Sequence, residues 1–267
     1  MELLRYLEPS LEQLLIFAAI VTRVGGLVAA APVLGANHAP MRIKAFLAVA
    51  VSLVITPVFW EYDFPEPGNT PNLLVMLAGE LMIGLSLGLG IRILFAGVQI
   101  TGQLLGQIGG LSVADVFNPA FDDSVPLLAI IFDFVVLAVF LVIGGHRYLI
   151  SALLHTFQEI PPGIATVDVE IVHVIRETLA NSLILGVQAA APGTVALLVG
   201  VLVMGVISRT LPQLNLMALG FSMNTMLLMA FMMLTMGSVV WLFQDAVEPT
   251  VSKLRGEFYA RVVPVAE

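Results

Sequence analysis

Gln99, Gln103 and Gln107 recur at every fourth position of a segment that is otherwise apolar. That spacing puts three amides on one helix face, with Gly102, Gly106, Gly109 and Gly110 beside them. Two uses are open to such a face, and they are compatible. One is helix–helix packing with interhelical amide bonds, where glycines let backbones approach. The other is the polar wall of a passage that ends in a flexible Gly-Gly step. Four isolated charges, Arg23, Glu80, Arg92 and Asp133, lie inside other apolar stretches. A charge at the centre of a bilayer costs about 2.5–3.5 kcal/mol on insertion scales, so each calls for a partner. The arginines are the natural countercharges of the two acids, within or between subunits. A proton relay lacks a chain of titratable groups to connect them.

Other chemistry finds little footing. Asp115, Asp122 and Asp123 flank Phe117-Asn118-Pro119, but no His lies among them. Their spacing fits neither a calcium loop nor a metallohydrolase helix, so a solvated turn is expected and no metal or cofactor. His38, His146, His155 and His173 are dispersed, and neither a Gly-x-Ser-x-Gly elbow nor a Gly-Lys-Ser/Thr phosphate loop occurs. The absence of Cys excludes disulfides, thiol chemistry and Cys-ligated zinc. The chain does not read as an enzyme. Seven of its twelve methionines fall between Met217 and Met236, and Met226, Met229, Met233 and Met236 form a stripe at helical spacing. Such a stripe is ordinary core or an adaptable surface for non-identical neighbours.

The elements that position these residues are helices buried in hydrocarbon or in other protein. Only 11% of the 267 residues are charged and 59% are hydrophobic, with a mean hydropathy of +1.01. Soluble domains carry about 25% charged residues. A formal net charge of −8 makes nucleic acid a poor partner, since affinity there comes from clustered cations. The chain has 31 uncharged residues between Glu177 and Arg209 and 35 between Arg209 and Asp245, each beyond the roughly 20 needed to span. Open strands leave backbone groups unsatisfied in lipid, so an all-α fold is expected, with helices near 11–31, 43–60, 73–92, 93–114, 125–144, 181–207 and 214–243. The first follows acidic residues and contains Arg23, unlike a cleaved signal peptide. The proline-rich acidic stretch 61–71 lies outside the helices, and Arg147 through Glu177 has room for shorter amphipathic pieces. Topology is not simple. Arg42 and Lys44 favour a cytoplasmic loop, and so do both Arg209 and the tail Lys253, Arg255, Arg261, although one long span separates the last two. Either 214–243 is a bent hairpin or the chain departs from serpentine bilayer topology.

Gly106-Gln107-Ile108-Gly109-Gly110-Leu111-Ser112 followed by Asn118-Pro119 resembles the most distinctive motif of the FliR family, the flagellar and virulence type III secretion export-gate subunits. Further similarities are Ala31-Pro32 with Pro40 and Lys44, Glu80 with Gly84 and Gly88, Phe140 through Gly144-Gly145-His146, Phe157 with Pro161, Pro212-Gln213-Leu214-Asn215 and Gly220-Phe221. Together they cover about residues 10–245. One departure is Asn118 where the family usually has Asp before the motif proline, with Asp115 three residues earlier.

The resemblance implies a non-enzymatic subunit of a flagellar export gate in a bacterial inner membrane, at the flagellar basal body. It implies membrane-associated helical hairpins with broken helices, forming with FliP-like and FliQ-like subunits a helical hetero-oligomer around a passage for unfolded protein substrates. Other export-apparatus membrane proteins and membrane lipid are further partners. The whole chain is then one domain, with about 1–180 FliP-like, 181–245 a FliQ-like hairpin and 246–267 a polar tail. Its plug loop is Gly106, Gly109, Gly110, Leu111, Ser112, Asp115, Phe117, Asn118 and Pro119. Gln99, Gln103 and Gln107 are its passage-lining candidates, and Arg209, Pro212, Gln213 and Asn215 its hairpin tip. The rival is a small-molecule or ion transporter of broken helices with Asp133, Glu80 and Arg92 at its site.

Overall fold

A computed structural model describes residues 11–32, 40–110, 126–165, 169–210 and 216–259. Every regular element among them is helical: α1 (Leu11–Ala30), α2 (Met41–Ile55) continued by a 3-10 turn (Thr56–Phe59), α3 (Thr70–Ile108), α4 (Leu127–Val142), α5 (Gly145–Glu159), α6 (Val169–Thr210) and α7 (Leu216–Tyr259). Five helices are long and apolar enough to cross a membrane, or six if the broken pair α4–α5 is one span. The expected all-α membrane fold is therefore present, and the 145–159 helix is the amphipathic piece anticipated after Arg147.

Several expected boundaries shift, among them the start of α6, which lies at Val169 and not near 181. The spans 73–92 and 93–114 are one helix, α3, because Arg92 is exposed and interrupts nothing; a long cationic side chain lies along a helix surface without breaking it. That helix also stops at Ile108 and not at 114, since Gly110 takes φ +80°. Residues 216–259 form one helix, so the bent-hairpin solution for 214–243 does not hold. At the other end of α3, Asn69 Oδ1 accepts the Asn72 amide at 3.0 Å, an N-cap.

The chain divides into two compact units. The first comprises the described residues up to Arg92, Gly144–Glu177 and the described residues from Glu248. Here α1 and the first half of α3 run parallel in close contact: a Cβ on Gly84 would lie 1.9 Å from the Arg23 carbonyl oxygen, and one on Gly88 2.6 Å from Ala30 Cβ. Helix α2 packs along α1. The second unit comprises Ile93–Ile143 and Thr178–Val247. Its centre is the second half of α3, whose Leu94, Phe95, Val98, Thr101 and Leu105 are buried.

Candidate functional site

In the second unit the last four turns of α3 are gripped on several sides. Helix α4 runs antiparallel to them: Phe95 meets Phe140 edge-on at 5.7 Å, and Gln99 Nε2 donates to Asp133 Oδ1 at 2.9 Å. A Cβ on Gly102 would sit 2.5 Å from Ala129 Cα. Helix α6 runs parallel. Thr101 Oγ1 donates to the Gly186 carbonyl at 2.9 Å, Ser182 Oγ donates to the Ile93 carbonyl, and a Cβ on Gly186 would lie 2.2 Å from the Gly97 carbonyl oxygen. Helix α7 runs antiparallel, with Phe243 against Phe95 at 5.3 Å and Leu228 against Gly109. Helices α6 and α7 pair antiparallel with each other, Gly200 against Leu227 and Gly193 against Thr235.

The grip ends in a defined stop. Gly109 N–H reaches the Leu105 carbonyl at 2.8 Å and Gly110 N–H the Gln107 carbonyl at 3.3 Å. Gly110 then turns left-handed, as a helix C-terminus commonly does at glycine. Ile108, past the last intrahelical donor, has its carbonyl bonded by Asn224 Nδ2 of α7 at 3.1 Å. The segment expected to form the plug, with Leu111, Ser112, Asp115, Phe117, Asn118 and Pro119, lies outside the described residues.

Of the three glutamines, Gln99 and Gln103 are half-buried and Gln107 is exposed. Gln99 is committed to Asp133, which therefore has an amide partner in place of the arginine expected for it. Arg92 forms no ion pair among the described residues. Gly106 needs no special space, since a Cβ there meets its nearest neighbour at 3.6 Å. Arg209 is exposed in the last turn of α6, where a cation suits the helix dipole. Pro212, Gln213 and Asn215 lie outside the described residues.

The charges of the first unit are held differently. Arg23 Nε donates to Glu80 Oε2 at 2.6 Å, and both side chains are fully buried. The other carboxylate oxygen accepts the Gly163 amide at 2.8 Å. Arg23 Nη1 donates to Thr156 Oγ1 at 3.3 Å, and the guanidinium carbon lies 4.2 Å from the centre of the Phe157 ring. One desolvated pair thus ties α1, α3, α5 and the 160–165 turn. Gly163 takes φ +94°, and a Cβ there would strike the Phe64 ring at 2.6 Å. Outside the spans, burial and the negative charges of Glu80 and Asp63 push the Tyr62 phenol up.

Asn224, Ser182, Gly186, Thr156 and Gly163 were not singled out by their sequence context. Ser182, Gly186 and Gly193 repeat at helical spacing, a small-residue signal that could have marked α6 as a close-packing helix. Asn224 is the amide within the methionine-rich run, and nothing in its neighbours announces a cap.

Residues 14–250 match the model of "Bacterial export proteins, family 1". The chain is 33% identical over 204 residues to the flagellar biosynthetic protein FliR of Escherichia coli (strain K12), covering 76% of this chain and 77% of that one. It is 24% identical to FliR of Bacillus subtilis (strain 168) over 90% of this chain and 93% of that one. To the secretion system apparatus protein SsaT of Salmonella typhimurium it is 22% identical, over 70% and 73% respectively. With a family model matched across nearly all of its helical residues, the chain belongs to the bacterial export proteins of family 1, the family of FliR.

Proposed function

We propose that this chain is a structural subunit of a type III secretion export gate in a bacterial inner membrane, and that the segment leaving α3 at Gly110 closes its passage. The observation that carries the reading is the end of α3. Four turns immobilised by α4, α6 and α7 stop at a left-handed glycine, with the final carbonyl held from α7 by Asn224. A movable closure needs a rigid rim, and this end supplies one. Family membership supports the export role, and relatives named for flagellar biosynthesis favour the flagellar system. Gln103 and Gln107, half-buried and exposed beside the rim, are its passage-lining candidates.

Partners are part of the proposal: FliP-like and FliQ-like subunits, further export-apparatus membrane proteins, and unfolded protein substrates. The part of α6 and α7 within about 181–245 is the FliQ-like hairpin. Support comes from burial. In the most apolar stretch of α3, 61% of residues are buried, against 17% in α6 and 22% in α7. The transporter alternative needs Glu80, Arg92 and Asp133 at one open site, yet Glu80 is engaged by Arg23 and Gly163 and Asp133 by Gln99.

Deleting Gly110 through Phe117 tests the closure directly. Assembly should survive, and membranes carrying the gate should conduct ions at rest. Unchanged conductance with intact assembly removes the plug role.

A further inference from the structure

Helices α6 and α7 each carry a kink-prone dipeptide, and the two stand at one level. In α6 it is Pro192-Gly193, and in α7 it is Gly237-Ser238, just past Thr235. Gly193 faces Thr235: a Cβ on it would lie 3.2 Å from Thr235 Cγ2 and 2.7 Å from Leu105 Cδ2. Pro192 has no N–H to give the Gln188 carbonyl. Thr194 Oγ1 is buried with no hydrogen-bond partner among the described residues. The Thr235 hydroxyl is shared between the Phe231 and Met232 carbonyls of its own helix at 2.8 and 3.1 Å, a contact that bends helices. Sharp kinks, above about 20°, occur at Pro and at Gly/Ser pairs. An antiparallel pair bends as one body only where both members yield at the same level. Here both do.

Beyond this level burial stops. Leu197 is the last buried residue of α6 and Leu228 the first of α7 among the described residues. The stretch 198–210 then runs on for about 20 Å. The distal part of the pair nevertheless holds the end of α3. Leu228 lies against Gly109, and Asn224 Nδ2 donates to the Ile108 carbonyl at 3.1 Å. Asn224 Oδ1 is buried with no partner among the described residues, so a single bond fixes this side chain. Asn224 is 11 residues from Thr235, roughly 16 Å along α7. A tilt of about 10° at the level of Thr235 displaces Asn224 by roughly 3 Å, which is the length of the bond itself. Leu228, nearer the fulcrum, moves less.

We infer that the parts of α6 and α7 beyond Pro192-Gly193 and Gly237-Ser238 form a lever, and that its tilt releases Asn224 from Ile108 and loosens the end of α3. As the means of opening the proposed closure, the lever rests on the export reading; as a motion of the chain it does not.

Pro192→Ala with Gly237→Ala stiffens both helices. A Cβ at Gly237 meets nothing within 4 Å, so Gly237→Ala alone is the milder second variant. The chain has no Cys, so Leu127→Cys on α4 and Val206→Cys on distal α6, 62% and 66% exposed, take a pair of spin labels. The full chain is extracted with its membrane neighbours, and the assembly without these two cysteines gives the background. The distribution of label distances should narrow about two-fold in the stiffened variant. An unchanged width overturns the lever. Amide exchange at Gly109 and Gly110 should slow about three-fold in the same variant, and adding Asn224→Leu should cancel the slowing. Exchange that ignores the stiffening overturns the coupling to α3. A denaturation midpoint at or above the parent's shows that each stiffened assembly is folded. Neither measurement involves conductance. If both succeed while deletion of 110–117 leaves conductance unchanged, the lever stands and the export closure falls.

Discussion

Arg23 and Glu80 illustrate what a single buried residue does here. Their charges are fully removed from solvent, and each has further partners in Thr156, Phe157 and Gly163. Removing one member of such a pair strands the other, typically at about 3–5 kcal/mol, whereas replacing both with apolar residues of similar volume is often neutral. Glu80→Leu alone should therefore lower the thermal denaturation midpoint of the detergent-extracted assembly sharply. Arg23→Met with Glu80→Leu should recover most of the loss. If the double variant is no better than the single one, the pair has a role beyond mutual satisfaction. Gly163→Ala belongs to the same scale. Its left-handed backbone and the Phe64 ring in the way predict a loss of about 1–3 kcal/mol, read by the same melt.

At the scale of elements, the crossing of α3 over α6 depends on the absence of side chains. Gly97 and Gly186 bring two backbones so close that Thr101 and Ser182 can hydrogen-bond carbonyls on the opposite helix. Gly186→Val should push the helices apart, lose both bonds and destabilise the assembly by more than the roughly 1 kcal/mol at stake in helix propensity. Gly205 and Gly237 provide the contrast, because a Cβ at either meets nothing within 4 Å. Gly205→Ala should be neutral or slightly stabilising in the chain's own fold, measured by denaturation of the same preparation. Asn224→Leu tests the end of α3. It removes one hydrogen bond to the Ile108 carbonyl, about 0.5–1.5 kcal/mol, and should raise proteolytic cutting after Gly110 more than it lowers global stability.

For the whole molecule, the question is what covers the apolar surface. Met233 is 82% exposed and Met226 74%, so the methionine stripe is largely a surface and only in part a core. A polarizable, unbranched side chain packs against varied neighbours, as the proposed contact with non-identical subunits would require. Extracted without FliP-like and FliQ-like chains, the protein should aggregate or be degraded, whereas co-expression should yield a single stable complex. A monodisperse lone particle that moves a small solute into liposomes would return the transporter reading to first place.

The sequence by itself determined the class of solvent, the helical class and the approximate number of spans, because apolar runs without charges have one stable form in hydrocarbon. It also marked Gly109-Gly110 as a flexible step, although it ran the helix on to 114, and Arg23 with Glu80 as charges in need of partners, since those demands are local. It misjudged the break at Arg92, where charge was read as punctuation along a line, and left the bent hairpin in 214–243 open as one of two alternatives, which the single helix Leu216–Tyr259 decided. Whether a charge interrupts a helix depends on which way its side chain faces, and only neighbouring helices set that. The partner of Asp133, the cap from Asn224 and the Gly97–Gly186 approach were decided by tertiary structure alone. Each joins residues at least 34 positions apart, and no pattern of period 3.6 carries information over that separation.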